Sequence, residues 1–386
     1  MPSPLSRIGD RTSRVASRVS TIELLFDLVF VFTISQVASI VVHDPTWPGV
    51  ARAALILGLV WWMYDAFAWL TNQTTPDTAP VRVWLIGAMA AFLVMALAIP
   101  EAFGETGVLF GAAYIVVAII HASLFVARGG SGAARRMLAV GTSNVLVGVL
   151  LVCSGFVEGP IDWVLFALPF LAFLASALQS IRGGFDPGAA HMVERHGLLM
   201  IIAFGESIVA VGIVASEHAL DVAVIAGTVL SVATVAALWW CYFTGDDLRA
   251  ERTLEQADAR TGTRLALVAF YLEHLAMIFG LVLLAAGLHE VLEHAAEPAS
   301  ATAAVLVSGG VALYLLADAA YRRTLALGPI AWRLSAALLV ALAAFAGIAQ
   351  SGLLQLALIV LVVGGALAIE ARTSRRRGAT AAAAPA

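Results

Sequence analysis

Glu23 and Asp27 stand four residues apart in Glu23-Leu-Leu-Phe-Asp27-Leu-Val-Phe-Val-Phe, inside the first long apolar run of the chain. A helix stacks residues four apart on one face. Carboxylates are costly at membrane depth, and those found there face a bundle interior, a partner or a cavity. Other ionisable residues interrupt later apolar runs: His121, Glu206 and the pair Glu273-His274. Each of these groups lies seven to eleven residues from an Arg taken to mark the membrane surface. The markers are Arg18 for Asp27, Arg128 for His121, Arg195 for Glu206, and Arg264 for Glu273 and His274. At a rise of about 1.5 Å per residue, all five groups fall roughly 10–17 Å in from their markers. The expectation is one slab of carboxylates and imidazoles in one half of the membrane. Such groups build proton relays and ion paths. They also tie helices together, at about 0.6–2 kcal/mol per contact. Glu23, nearer the end of its run, suits pairing with an Arg at that surface.

Weaker constellations lie elsewhere. Asp65 and Asp318 fall within about a turn of helix ends, where they reach water or pair locally; Arg322 follows Asp318 by four residues. His289-Glu290 and Glu293-His294 crowd the longest outer turn, and His191, Glu194 and His196 cluster at the mouth of the seventh span. Both sets contain metal-ligating types, but a solvated charged turn is the commoner outcome, so no metal and no cofactor is expected. Ser207 has no base–nucleophile motif around it. Asn144 and Gln179 suit cross-links between helices. A Gly-rich phosphate loop with Lys is absent, which argues against an ATP-driven pump. Cys153 and Cys241 fall near opposite membrane faces, too far apart to bridge.

The elements that must position these groups follow from composition. The 386 residues are 61% hydrophobic and 12% charged, whereas a soluble domain carries about 25% charged residues. Apolar runs of membrane-spanning length recur throughout. The reading is an all-α polytopic membrane protein of about twelve spans, near 20–42, 51–70, 82–99, 105–127, 138–156, 162–181, 196–215, 221–242, 265–287, 301–320, 329–349 and 352–370. Every basic residue is Arg, and with the N-terminus inside, 21 of the 22 fall in inner segments; Arg52 alone falls outside. That is the positive-inside pattern of a multi-pass protein of the cytoplasmic (inner) membrane with both termini cytoplasmic. The Arg-rich loops are read as topology signals rather than nucleic-acid sites. Residues 1–19 and 372–386 read as tails, the second disordered.

A repeat divides the rest into 20–182 and 183–371. Trp61-Trp62-x-Tyr64 recurs as Trp239-Trp240-x-Tyr242, 178 residues on, and Asp27 plus 179 gives Glu206. Six spans per unit is an even number, so the two repeats run parallel, with spans 1 and 7 equivalent.

The stretch Glu23 to Phe32 resembles the bacterial low temperature requirement A (LtrA) family. Three more stretches fit it: Glu194-Arg195-His-Gly-Leu with Gly205-Glu206-Ser207-Ile-Val-Ala, Trp239-Trp240-x-Tyr242, and His274 followed by Gly280-Leu-Val-Leu-Leu-Ala-Ala-Gly287. The resemblance spans about residues 20–370. It implies a multi-spanning membrane protein named for growth in the cold, and it marks Glu23, Asp27, Glu194, Glu206 and His274 as family-motif positions without roles. An acid expected soon after the aromatic pair comes late here, at Asp246 and Asp247. Three classes of function remain open. The first is a proton-linked transporter or ion-conducting protein using Asp27 and Glu206, with His121, Glu273 and His274 completing the layer. The second is a membrane-embedded enzyme acting on a lipid or apolar metabolite, with Glu206 or His274 as acid–base group. The third is a non-catalytic scaffold or sensor. The expected partners are the lipid bilayer and a small ion or solute; monomer and homodimer both remain open.

Overall fold

In the computed structural model the described residues are 19–73, 78–128, 131–180 and 188–382, and they form fourteen α-helices and one π-helical segment. The first half holds α1 (Thr21–His43), α2 (Trp47–Gln73), α3 (Ala79–Leu97), α4 (Gly107–Arg128), α5 (Ser131–Ser154) and α6 (Pro160–Ser180). The second holds α7 (Ala189–Ser216), α8 (Val222–Tyr242), α9 (Asp246–Gln256), α10 (Ala259–Leu265), the π segment (Ala266–Glu273), α11 (His274–Glu293), α12 (Ala301–Thr324), α13 (Ala331–Ala349) and α14 (Gly352–Ala382). Among the described residues, ten helices are long and apolar enough to cross a membrane, and α5 and α6 add the shorter apolar stretches Gly141–Ser154 and Pro160–Ala175. In hydrocarbon each backbone polar group must be satisfied within its own segment, which is why the apolar runs take this form. α10, the π segment and α11 form one continuous rod, Ala259–Glu293. Each of the twelve spans read from the sequence is covered by one such rod. α9, Asp-Asp-Leu-Arg-Ala-Glu-Arg-Thr-Leu-Glu-Gln, is too short and too charged to be another.

Polar caps set several helix starts. Asp221 accepts from the Val224 amide at 2.9 Å, and Ser300 from the Ala303 amide at 3.1 Å. The disordered tail expected from residue 372 is a correction: α14 continues to Ala382. Residues 372–382 include four Arg and three Ala, both good helix formers. The other expected tail, residues 1–19, lies outside the described residues except for Val19.

The order of packing repeats. α1 packs on α2 and α3, α2 on α4 and α6, and α3–α4–α5–α6 follow as neighbours. Correspondingly, α7 packs on α8 and α11, α8 on α12 and α14, and α11–α12–α13–α14 follow as neighbours. The second six rods thus reproduce the neighbours of the first six, with α11 in the place of α3. The halves meet where α1 packs on α7 and α11.

Small residues bring α11 and α12 close. A Cβ on Gly310 would lie 2.6 Å from both the Gly280 carbonyl oxygen and the Leu284 nitrogen, so only backbone could yield. Gly309, its neighbour, faces open space. Gly310→Val is therefore expected to lower the melting temperature of the purified protein, overpacking costing about 1–3 kcal/mol or more. Gly309→Ala should leave it unchanged. Equal melting of both variants and the wild type would contradict this packing.

The π segment sits at the contact between halves. Its wider turn frees carbonyls from the helical ladder. Trp61 Nε1 on α2 donates to the Tyr271 carbonyl at 3.0 Å, and His274 Nδ1 lies 2.7 Å from the Ala269 carbonyl five residues back.

Candidate functional site

Three helices bring five polar side chains into one buried cluster. α1 supplies Glu23 and Asp27, one turn apart. α2 supplies Tyr64. α7 supplies His191 and Arg195, also one turn apart, so two complementary pairs meet side by side. Arg195 Nη1 donates to Glu23 Oε1 at 2.9 Å and to Thr71 Oγ1 at 2.8 Å, and Nη2 donates to Asp27 Oδ1 at 3.0 Å. His191 Nε2 lies 3.1 Å from Glu23 Oε1. The Tyr64 hydroxyl donates to Asp27 Oδ1 at 2.7 Å. The other oxygen of Glu23, Oε2, accepts from the Ser20 amide at 2.8 Å and the Ser20 hydroxyl at 2.7 Å, which ties the cluster to the start of α1.

The cluster is dry. Glu23, Asp27 and Arg195 are 3%, 0% and 2% exposed. The gap beside Glu23 and Arg195 has no room for a water molecule. Among the described residues two carboxylates face one guanidinium, so with His191 neutral this set carries one negative charge in excess. A buried charge without a partner is strongly unfavourable. Asp27 Oδ2 has no hydrogen-bond partner and stands open to a proton.

A second group continues from Arg195 into the contact between halves. His196 Nδ1 bonds the Met192 carbonyl at 2.9 Å, so it carries the proton, and Nε2 faces Asp65 Oδ1 at 3.5 Å. The His196 and His274 rings lie 5.1 Å apart. By the same logic His274 Nδ1 carries a proton toward the Ala269 carbonyl, and the Tyr242 hydroxyl lies 2.9 Å from its Nε2. Asp65, at the end of this string of side chains, is partly exposed.

The comparison with known proteins gives a family. The model of the bacterial low temperature requirement A protein (LtrA) matches residues 18–368, nearly the whole chain. This chain belongs to the LtrA family. An uncharacterized protein of Rhizobium meliloti (strain 1021) is 27% identical over 315 residues, covering 78% of this chain and 76% of that protein. No solved structure gives a significant match.

Within this LtrA-family chain, the single polar layer expected from the sequence does not assemble. Asp27 and Glu23 meet Arg195. Glu206 is half-buried, and among the described residues it has no ion pair or hydrogen bond. The reason is the marker: Arg195 is not at the surface but at the level of Asp27. Glu206, eleven residues on, therefore lies about 16 Å further along α7. His121 Nε2 bonds the Ala66 carbonyl at 3.2 Å and packs against Phe67, with no acid beside it. Glu273 accepts from the Thr324 hydroxyl at 2.6 Å. Glu194 is exposed on α7, where it accepts from the Val19 amide at 3.4 Å. Asn144 cross-links α5 to α2 by accepting from Trp62 Nε1 at 3.2 Å; the Gln179 side chain lies outside the described residues. Ser207 bonds its own helix at Ala203. His289 and Glu293 form an exposed pair at 3.6 Å on the last turns of α11 rather than in a loop. Both cysteines are free. Among the described residues, no three His, Cys, Asp or Glu side chains are placed to hold a metal ion.

Asp318 is a further correction. Its partner is Arg333 on α13, at 3.0 Å, and not Arg322 on its own helix. Arg322 instead binds Asp246 at 2.6 Å and Glu370 at 2.7 Å, and Arg333 also binds Glu370 at 3.1 Å. Arg249 joins Asp246. Among the described residues this second buried network has three guanidiniums for three carboxylates and is balanced, unlike the first. Its members come from α9, α12, α13 and α14, so it fastens the ends of the second half.

Proposed function

We propose that this LtrA-family chain is a proton-linked transporter or proton-conducting protein of the cytoplasmic membrane, with both termini in the cytoplasm. The observation that carries the reading is the charge count of a dry cluster: Glu23 and Asp27 against Arg195 alone among the described residues. A proton is the counter-charge that fits where no water fits. Shared among His191, Glu23 and Asp27, it balances the cluster; its departure leaves a buried charge that the protein must relieve by moving. α1 and α7 belong to different halves, so loading and unloading that proton changes how strongly the halves hold each other. This is the coupling a carrier needs between ion binding and shape. Asp65 and His196 supply the route from the Arg-rich surface, with His274 and Tyr242 continuing it into the second half. Glu206, His121 and Glu273 have no part in the proton site in this reading.

Glu23→Gln tests the assignment. Gln keeps the size and most hydrogen bonds but cancels the excess charge, so Arg195 and Asp27 balance without a proton. The variant is expected to fold and to lose proton flux in proteoliposomes, while Glu206→Gln keeps it. Unchanged flux in Glu23→Gln would sink the reading.

A further inference from the structure

A cavity of about 400 Å³ opens at the Arg-rich end of the second half between the end of α8, the start of α9, and α14. One wall is apolar: Trp240, Leu367 and Ala371. The other is polar: Thr244, Arg249, Arg322 and the carboxylate Glu370, which pairs with Arg322. Trp240, near the end of α8, is 57% exposed. Arg249 keeps 46% of its side chain exposed, whereas Arg322 is 2% exposed and its buried Nε has no partner.

We propose that this cavity binds the headgroup of an anionic phospholipid. The phosphate sits toward Arg249 and Thr244, and the glycerol and first acyl carbons lie on Trp240, Leu367 and Ala371. Four observations support it. Two guanidiniums, Arg249 and Arg322, line the cavity against one carboxylate, Glu370, and Arg249 keeps part of its side chain exposed. The Thr244 hydroxyl makes only a 3.5 Å contact with the Cys241 carbonyl and remains available to a phosphate oxygen. Basic pockets between membrane helices on the inner side are where anionic headgroups bind. The wall is also held in shape. Arg249 Nη1 donates to the Leu327 carbonyl at 2.9 Å, and Gly328 has a φ of +147° with Arg322 Nη2 only 3.0 Å from where a Cβ would lie. A side chain at 328 would push that guanidinium out of place. A soluble phosphate ester shares the headgroup chemistry but has nothing to lay on the apolar wall.

The test uses the purified full chain in phosphatidylcholine vesicles, with brominated phosphatidylglycerol or brominated phosphatidylcholine as quencher. The signal is the part of tryptophan quenching that Trp240→Phe removes. Phosphatidylglycerol is expected to quench with an apparent affinity roughly fivefold above phosphatidylcholine, the equivalent of about 1 kcal/mol for one guanidinium near the headgroups. Arg249→Gln should bring the ratio close to one. Thr244→Val, which leaves the ion network intact, should lower it in a protein that folds normally. Excess glycerol 3-phosphate should leave the quenching in place. Equal quenching by the two lipids in the wild type, a preference that survives both substitutions, or full displacement by glycerol 3-phosphate would each overturn the proposal.

Discussion

Replacing Arg195 by Met is expected to remove most of the folded protein. The substitution keeps much of the volume but deletes the only guanidinium that the described residues place beside Glu23 and Asp27, both of which are almost fully buried. Breaking a buried pair by removing one partner costs about 3–5 kcal/mol, because the remaining charge has nowhere to go. Here two carboxylates are stranded rather than one, and Thr71 loses its donor as well. Removing all the charges together should reverse the loss: the triple variant Glu23→Gln, Asp27→Asn, Arg195→Met is expected to fold again. The check is the fraction of monodisperse protein after extraction, together with its melting temperature. Wild-type stability in the single Arg195→Met variant would mean that the carboxylates are already neutral and that the charge count is wrong.

Arg333→Met should be comparably damaging for a different reason. Arg333 is 2% exposed and serves Asp318, Glu370 and the Cys241 carbonyl. Its loss leaves Asp318 without a cation, whereas Glu370 keeps Arg322. A penalty of about 3–5 kcal/mol follows from the stranded Asp318, and the second change Asp318→Asn should recover most of it. The rescued pairs are expected to part company in function. The Arg333→Met, Asp318→Asn protein should fold and still move protons, because its network was balanced from the start. The triple variant of the first cluster should fold and move none. Loss of flux in the rescued second-half pair would show that the balanced network is more than a fastening.

How much of this was legible in the sequence depends on the distance over which each fact is decided. The spans were legible because hydrocarbon imposes a local rule on every segment, and the Arg bias favours an even count. Glu23 and Asp27 were legible because four-residue spacing inside an apolar run marks one helix face. Their partner was not. Arg195 lies 172 residues from Glu23 and 168 from Asp27, and an Arg at the start of a span reads first as a topology signal. One signal was present: His191 and Arg195 share the four-residue spacing of Glu23 and Asp27, with complementary charge, on the span equivalent to α1. Misreading Arg195 as a surface marker also misplaced Glu206. The repeat behaved in a mixed way. It survives in helix packing, but Tyr64 bonds an aspartate while its counterpart Tyr242 meets a histidine. Asp318 was assigned to Arg322 because that residue is near in sequence, whereas the fold brings Arg333 closer.

The central claim is that Asp27 and Glu23, held by Arg195, take up a proton that crosses the membrane. The most direct measurement is proton entry into vesicles containing the purified wild-type chain, driven by an imposed potential. Asp27→Asn is measured at equal protein content and with its melting temperature recorded. Proton entry by the wild type, reduced to the level of protein-free vesicles in a folded Asp27→Asn variant, is the result this account predicts. Entry at the wild-type rate in that variant, or none in the wild type under any potential, would contradict it.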